Sequence, residues 1–382
     1  MRNIFLSFFT IISLQLFFIG CSGGDQVTVT RVERSEEMED PQPEPMPEPT
    51  GEPGVFRDLT SMQLVAEMPT GWNLGNSLDV PGDDETAWGN PITSREMIDK
   101  VRERGFGTLR VPVTWGSHTG NPPEYTIETT WMDHVEEIVN YGLDNDMYVI
   151  LNIHHDNEWT VPTPENASTV RDRLGKVWTQ IANRFRNYSD FLLFEVLNEP
   201  RHEGTPQEWN GGTAEERVVL NQYLKTALDA IRATGGNNEK RHIMIPTYAA
   251  STHPNAMNDL VIPNNDQRTI VSVHTYFPFQ YALLGEDRDW GTDADRQALD
   301  AELDRVRDKF IANGIPVIMG EFGSVTSVND RLEHATYYAN GAVSRGMLPI
   351  WWDDGGNFRI FNRRTLTWIS PDIADAVINA KN

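Results

Sequence analysis

Residues 191–200 read FLLFEVLNEP, an otherwise apolar run that carries Asn198 and Glu199 to its end and stops at Pro200. A run that is apolar at successive rather than alternate positions suits a parallel strand covered on both faces, and proline cannot extend the ladder. Residues 214–236, AEERVVLNQYLKTALDAIRATGG, follow with apolar positions three and four apart, which predicts a helix. The same strand-then-helix unit recurs on either side. Upstream lie GWNLGNSL (71–78), GTLRVPVTW (107–115) and MYVILNIHHD (147–156), with helical patterns over 94–105, 129–146 and 171–188. Downstream lie HIMIPTYAA (242–250), TIVSVHTYFP (269–278), PVIMGEFG (316–323) and MLPIWWDDGG (347–356). Eight such units close into a single (β/α)8 TIM barrel, an α/β fold, and residues 55–382 form that one domain. The fifth unit is thin, because residues 251–266 predict at most a short helix.

In such a barrel the active site sits at the C-terminal ends of the strands. Here those ends carry Asn76, Arg110, His154 and His155, Asn198 and Glu199, His274 and Tyr276, Glu321, and Trp351 and Trp352. Glu199 and Glu321, far apart in sequence, are expected to face each other across one pocket. Paired carboxylates of this kind can cleave a glycosidic bond: one holds a proton for the leaving oxygen while the other, ionised, attacks the anomeric carbon. Asp156 and Asp353 read as loop groups, and the acidic run Asp83, Asp84 and Glu85 as a solvated loop.

The amino terminus belongs to targeting. Residues 1–20 place Arg2 before a mostly apolar run and a small residue ahead of Cys21, the plan of a lipoprotein-type signal peptide. FFIGC resembles a bacterial lipoprotein box, with Phe18 where leucine is usual, and implies lipidation at Cys21. Cys21 is the chain's only cysteine, so no intramolecular disulfide can form. Residues 21–54 read as a disordered acidic Pro/Glu-rich spacer. The chain is then expected to be exported as an outer-membrane or cell-surface lipoprotein, touching a membrane only through its anchor; with an ordinary cleaved signal it would be periplasmic or secreted.

Of the formal charge of −24, the spacer's nine acidic residues and two arginines account for −7, Arg2 adds one positive charge, and the folded part keeps −18. That excess repels phosphate backbones and excludes nucleic acid as a partner. Together with 11 tryptophans, 10 tyrosines and 16 phenylalanines, it favours neutral ligands that stack, such as sugars.

WNLGNSLD, RVPVTW, NIHHD, FEVLNEP, VSVHTYFP, IMGEFG and WWDDGG, in that order, resemble glycoside hydrolase family 5, in particular its bacterial endoglucanase and xyloglucanase branch. The resemblance runs from about residue 59 to 355. It implies Glu199 as general acid/base and Glu321 as nucleophile of a retaining double displacement, with carboxyl groups about 5 to 5.5 Å apart. It also implies that Asn198 bonds the 2-hydroxyl of the attacked sugar, that Arg110 and Tyr276 donate toward Glu321, and that Asn76, His154, His155 and His274 line the substrate site. Strand alternation lets one of Trp351 and Trp352 face inward, and Trp352 is taken as the stacking floor. Asp354 stands where the resembled branch commonly has asparagine.

The expected substrate is a β-1,4-glucan, whether cellulose-like, mixed-linkage glucan or xyloglucan, with β-mannan the alternative on the same scaffold. A monomer needing neither cofactor nor metal is expected. A metal-dependent hydrolase using His154, His155, Asp156, His274 and Glu199 is the rival enzyme, opposed because adjacent histidines on a strand diverge. A surface glycan-binding lipoprotein without turnover is the non-enzymatic rival, opposed because binding alone needs no matched pair of glutamates.

Overall fold

The computed structural model describes residues 55–82 and 84–381. The signal peptide, Cys21 and the spacer expected over 1–54 lie outside the described residues, as does Asp83.

Eight parallel strands close in sequence order: β1 (Gly71–Leu74), β2 (Thr108–Val111), β3 (Tyr148–Asn152), β4 (Leu192–Glu195), β5 (Ile243–Pro246), β6 (Thr269–His274), β7 (Val317–Phe322) and β8 (Leu348–Asp353), with β8 pairing back to β1. The helices between them have readable limits. The first crossover helix, Arg95–Arg104, starts at Ser94, whose side chain accepts from the Met97 N–H, and stops at Gly105, whose φ of 123° suits glycine. Helix Ala214–Ala233 opens with a capping box between Thr213 and Glu216. The thin fifth unit is as the sequence predicts, since its only α-helix is Pro254–Asn258.

Apolar residues divide into two bodies. The larger lies between the strands' outer faces and the helices and includes Trp72, Trp178, Phe194, Met319 and Trp351. The smaller fills the barrel axis with Tyr148, Ile150, Leu193, Met244, Ile270, Ile318, Leu348 and Ile350. It is closed from below by Leu64, Val65 and Met68 of the short helix Ser61–Glu67 and the residue after it. The other mouth is therefore the open end, where the strands deliver their polar residues.

Two irregularities aim those residues. β4 ends at Glu195, so Glu199 stands four residues past the strand rather than at its end; the Val196 N–H still bonds to Met244 and keeps the segment on the barrel wall. In β7 the pairing with β8 shifts between Met319 and Phe322, so Phe322 lies opposite Trp351. This bulge inserts one residue and turns Glu321 to the same face as the axial Ile318, where strict alternation would have turned it outward. Gly320 permits it: a Cβ there would meet His274 Nε2 at 2.8 Å.

Candidate active site

The site is built upward from Arg110 on β2, which is wholly buried. Its Nε donates to Glu195 at 2.8 Å, Nη1 to Asn73 at 2.9 Å and to Glu321 at 2.8 Å, and Nη2 to Asn198 at 2.7 Å. Burial opposes a charge here, but Glu195 and Glu321 outweigh it and raise the guanidinium's hold on its proton. Glu195 is satisfied in turn by Asn152 at 3.0 Å and Ser272 at 2.6 Å. Sequence reasoning missed Glu195; the signal available was a charged residue in mid-strand within FLLFEVLNEP.

Above this layer stand the two glutamates. One oxygen of Glu321 accepts from Arg110 and the other from the Tyr276 hydroxyl at 2.8 Å. Burial and the nearby Glu321 charge push the Tyr276 phenol well up, so it remains a donor. Glu199 lies 2.9 Å from His274 Nδ1, and that nitrogen lies 3.6 Å from Glu321. One carboxylate oxygen of each glutamate and a His274 ring nitrogen all fall within 4.8 Å of one another. Burial would raise the Glu199 carboxyl, yet the His274 hydrogen bond and the positive charges of His274 and Arg201 hold it below its ordinary value. His274 moves the opposite way: burial opposes its charge, and Glu321 and Glu199 raise its proton affinity above the ordinary imidazole. The pair thus favours a carboxylate on Glu199 and a protonated ring on His274.

Asn198 accepts from Arg110 through Oδ1, which leaves its Nδ2 as the free donor. His154 and His155 both stay at the site, their rings 4.4 Å apart. Alternation does not separate them because β3 ends at Asn152 and they belong to the loop beyond it. They converge on Asp79, His154 Nε2 at 3.9 Å and His155 Nε2 at 3.6 Å, so the expectation that adjacent histidines diverge fails. Burial pushes His154 well below the ordinary imidazole and His155 down to about 4, so both rings are neutral at pH 7. Burial likewise raises Asp79 to about 6, against hydrogen bonds from the Ser77 and Asn76 N–H groups. Asp79 was not nominated from sequence, although the motif WNLGNSLD ends on it. Asn76 sits in the left-handed region at φ 54°, its N–H on Asp79 and its carbonyl accepting from Asn90.

Trp352 lies parallel to His154 with ring centres 5.8 Å apart and rests on Gly75, where a Cβ would come within 2.6 Å of the indole. Trp351 points the other way, fully buried, with its indole N–H on the Phe358 carbonyl. Asp156 accepts from the backbone N–H groups of Trp115 and Gly116, and Asp353 from those of Gly355, Ile360 and Phe361, the loop roles expected of them. Asp354 is a loop tie too, accepting from the Gly356, Asn357 and Phe358 N–H groups. Glu85 departs from the solvated reading: it is buried and takes the Thr93 N–H and His134.

Among the described residues two clusters have ligand spacing, Asp79 with His154 and His155, and Glu199 with His274 and Glu321. Their hydrogen bonds do not suit a metal. Asn152 Oδ1 takes the Val113 N–H, so its Nδ2 faces His154 Nδ1 at 3.0 Å and obliges Nε2 to carry the hydrogen. In the second cluster the Glu321 oxygen that would bind an ion already receives the buried Arg110 guanidinium. Asp156, tied to backbone, belongs to neither cluster.

A closed parallel barrel with two carboxylates this close over a cationic hub defines a glycoside hydrolase centre. The family model described as Cellulase (glycosyl hydrolase family 5) matches residues 71–357, and the chain belongs to that family. It is 50% identical over 336 residues to Endoglucanase B of Clostridium cellulovorans, covering 85% of this chain and 76% of that one. Among solved structures, ZgEngAGH5_4 in complex with a cellotriose is 56% identical with a TM-score of 0.84, covering 85% of this chain and 99% of that one. A GH5-4 broad specificity endoglucanase from Clostridium acetobutylicum is 50% identical with a TM-score of 0.83, covering 84% and 100%.

Proposed function

We infer that this protein is an endo-acting, retaining glycoside hydrolase that cleaves β-1,4-glucan by double displacement. The observation that carries this reading is the approach of Glu199 and Glu321 oxygens to within 4.8 Å, too close to seat a water between them for inversion. In the first step a Glu321 oxygen attacks the anomeric carbon, the bond to the leaving oxygen breaks, and Glu199 transfers its proton to that oxygen. In the second, Glu199 takes a proton from water, whose oxygen replaces Glu321 at the anomeric carbon with net retention.

The proton for the first step is shared by Glu199 and His274. Sugar binding expels water, and a neutral acid beside a neutral imidazole is then cheaper to bury than the ion pair, so the proton moves to Glu199. In this reading Asn198 Nδ2 donates to the 2-hydroxyl, and the His154 Nε2–H to a further hydroxyl of the sugar on Trp352, supported by the Nδ2 left free when Oδ1 takes Arg110. His155 and Asn76 border that sugar. Exposed Trp88, whose ring lies 5.5 Å from His155, and exposed Trp209, under the Arg201 guanidinium, supply platforms for further sugars of a polymer.

Within β-1,4-glucans, mixed-linkage glucan and xyloglucan are proposed alongside cellulose-like chains, a breadth supported by the relatives named as broad specificity endoglucanases. The test is release of new reducing ends from carboxymethylcellulose, barley glucan, xyloglucan and mannan by the purified protein. Turnover on mannan with none on the glucans would overturn the substrate assignment, and no turnover on any would return the chain to a binding role. Export and lipidation at Cys21 complete the proposal on the strength of FFIGC; labelling by palmitate in cells should be lost in Cys21→Ala.

A further inference from the structure

Glu199 is held from two sides. His274 Nδ1 approaches Oε1, while Oε2 faces Arg201, whose Nη1 lies 3.5 Å from it and donates to the Glu199 carbonyl at 3.0 Å. Arg201 belongs to the loop after β4 and is itself clamped. Its Nε donates to Glu208 at 3.1 Å, its Nη2 lies 3.0 Å from Glu203, and its guanidinium carbon lies over the Trp209 ring, 4.6 Å from the ring centre. Glu208 is anchored by the Gly204 N–H, and Glu203 by Asn157 from the loop after β3. The Arg201, Glu199 and Glu208 side chains are only 14%, 18% and 17% exposed, so their charges are weakly screened.

A full positive charge beside a general acid poses a chemical difficulty. It favours the carboxylate, which the second step needs, and opposes the protonated form, which the first step needs. Two neighbouring carboxylates offset it.

We propose that Arg201, clamped between Glu203 and Glu208, is a positioning residue that sets the proton affinity of the Glu199–His274 pair, with Glu208 attenuating its charge. The inference rests on the reading of Glu199 as the acid/base. The other charged or titratable groups facing Glu199 are His274 of β6, His155 of the loop after β3, and Glu321 of β7; Tyr276 and Arg110 face it through Glu321 and Asn198. None of these belongs to the clamp. The clamp is therefore an independent lever, and its two members act with opposite sign.

The signs follow from charge. The pair without its proton carries one more negative charge, which Arg201 stabilises and Glu208 opposes. Removing Arg201 should raise the pH at which the acid is lost, and removing the Glu208 charge should lower it.

The experiment is the pH profile of kcat/KM on a cello-oligosaccharide for wild type, Arg201→Gln, Arg201→Lys and Glu208→Gln, with melting curves to establish folding. Arg201→Gln should move the alkaline limb up by roughly 0.5 to 1 in pH, less than the full effect of a close, uncompensated charge. Glu208→Gln should move it down by a smaller amount, and Arg201→Lys should leave it near wild type. Unmoved limbs in folded Arg201→Gln and Glu208→Gln, or limbs moving the same way, would overturn the proposal, since a purely structural role lowers the rate at every pH alike. Should Arg201→Gln fail to fold, the sign of the Glu208→Gln shift decides. Glu199→Gln on an activated aryl cellobioside is the control: if the alkaline limb persists there, it is the acid/base assignment that falls, and if the limb vanishes while the clamp variants are unmoved, only the clamp falls.

Discussion

The two ends of the barrel axis solve the same packing problem with opposite materials. The closed end is filled by Ile150, Leu193, Met244, Ile270, Ile318, Leu348 and Ile350 beneath the helix that supplies Leu64 and Val65. The open end, a layer higher on the same strands and the loop after β3, buries Arg110, Glu195, Glu321, Asn152, His154 and His274. Apolar side chains gain stability from burial individually, whereas the buried charges are tolerable only because each satisfies another. Stability should therefore reside in one end and chemistry in the other.

Four measurements sharpen or break that division. The largest effect is expected of Glu321→Gln, which keeps the size of the side chain but removes the nucleophile: turnover should fall by on the order of 10⁵-fold, the scale seen when a covalent nucleophile is lost. Its melting temperature should change little, because Glu195 still neutralises Arg110 and the amide oxygen of glutamine can still accept from it; a marked drop would put stability in the open end after all. Glu199→Gln should lose roughly 10²- to 10⁴-fold on substrates with poor leaving groups and much less on activated ones, measured as initial rates. A uniform loss across leaving groups would break the division of labour between the two carboxylates.

At the closed end Leu193→Ala should cost about 2 to 5 kcal/mol in denaturant unfolding, while kcat per folded molecule stays close to wild type. The fourth measurement concerns pH. His242 sits below the barrel with its Nδ1 2.8 Å from the Ser61 hydroxyl, and burial depresses it to about 3. The folded state therefore resists a proton that the unfolded chain takes up near the ordinary 6.5, so the associated stability is present above pH 6.5 and is lost as the pH falls toward 3. His242 should contribute about 1.4 kcal/mol per pH unit to the slope, beside the like contributions of His154 and His155, and that share should be lost in His242→Asn, followed by melting temperature between pH 7 and 4. An unchanged slope would place the acid sensitivity elsewhere.

The barrel itself was legible because strand and helix periodicities are local properties of the chain, whereas the helix Ser61–Glu67 that closes it from below is known only from the apolar end it covers. The open end was legible in part. Glu199, Glu321, Arg110, Asn198, His274 and Tyr276 were all nominated, and they meet around one point. Asp79, Glu195 and Arg201 were passed over, since a buried carboxylate or a clamped arginine is known only by the partners that fold beside it. The pairing of His154 with His155 was misjudged for a related reason: strand alternation was applied to residues that the fold places beyond the strand.

What the amino-acid sequence determined by itself was the order of eight strand and helix units and the kinds of side chain each unit carries to its end, because both depend on neighbours along the chain. Tertiary structure alone decided which way those side chains point. Counted from Ile318, alternation turns Glu321 away from the axis; it faces Glu199 because β7 bulges at Gly320, where the absence of a Cβ makes room for the His274 ring from the neighbouring strand. That fit exists only once β6 and β7 lie side by side.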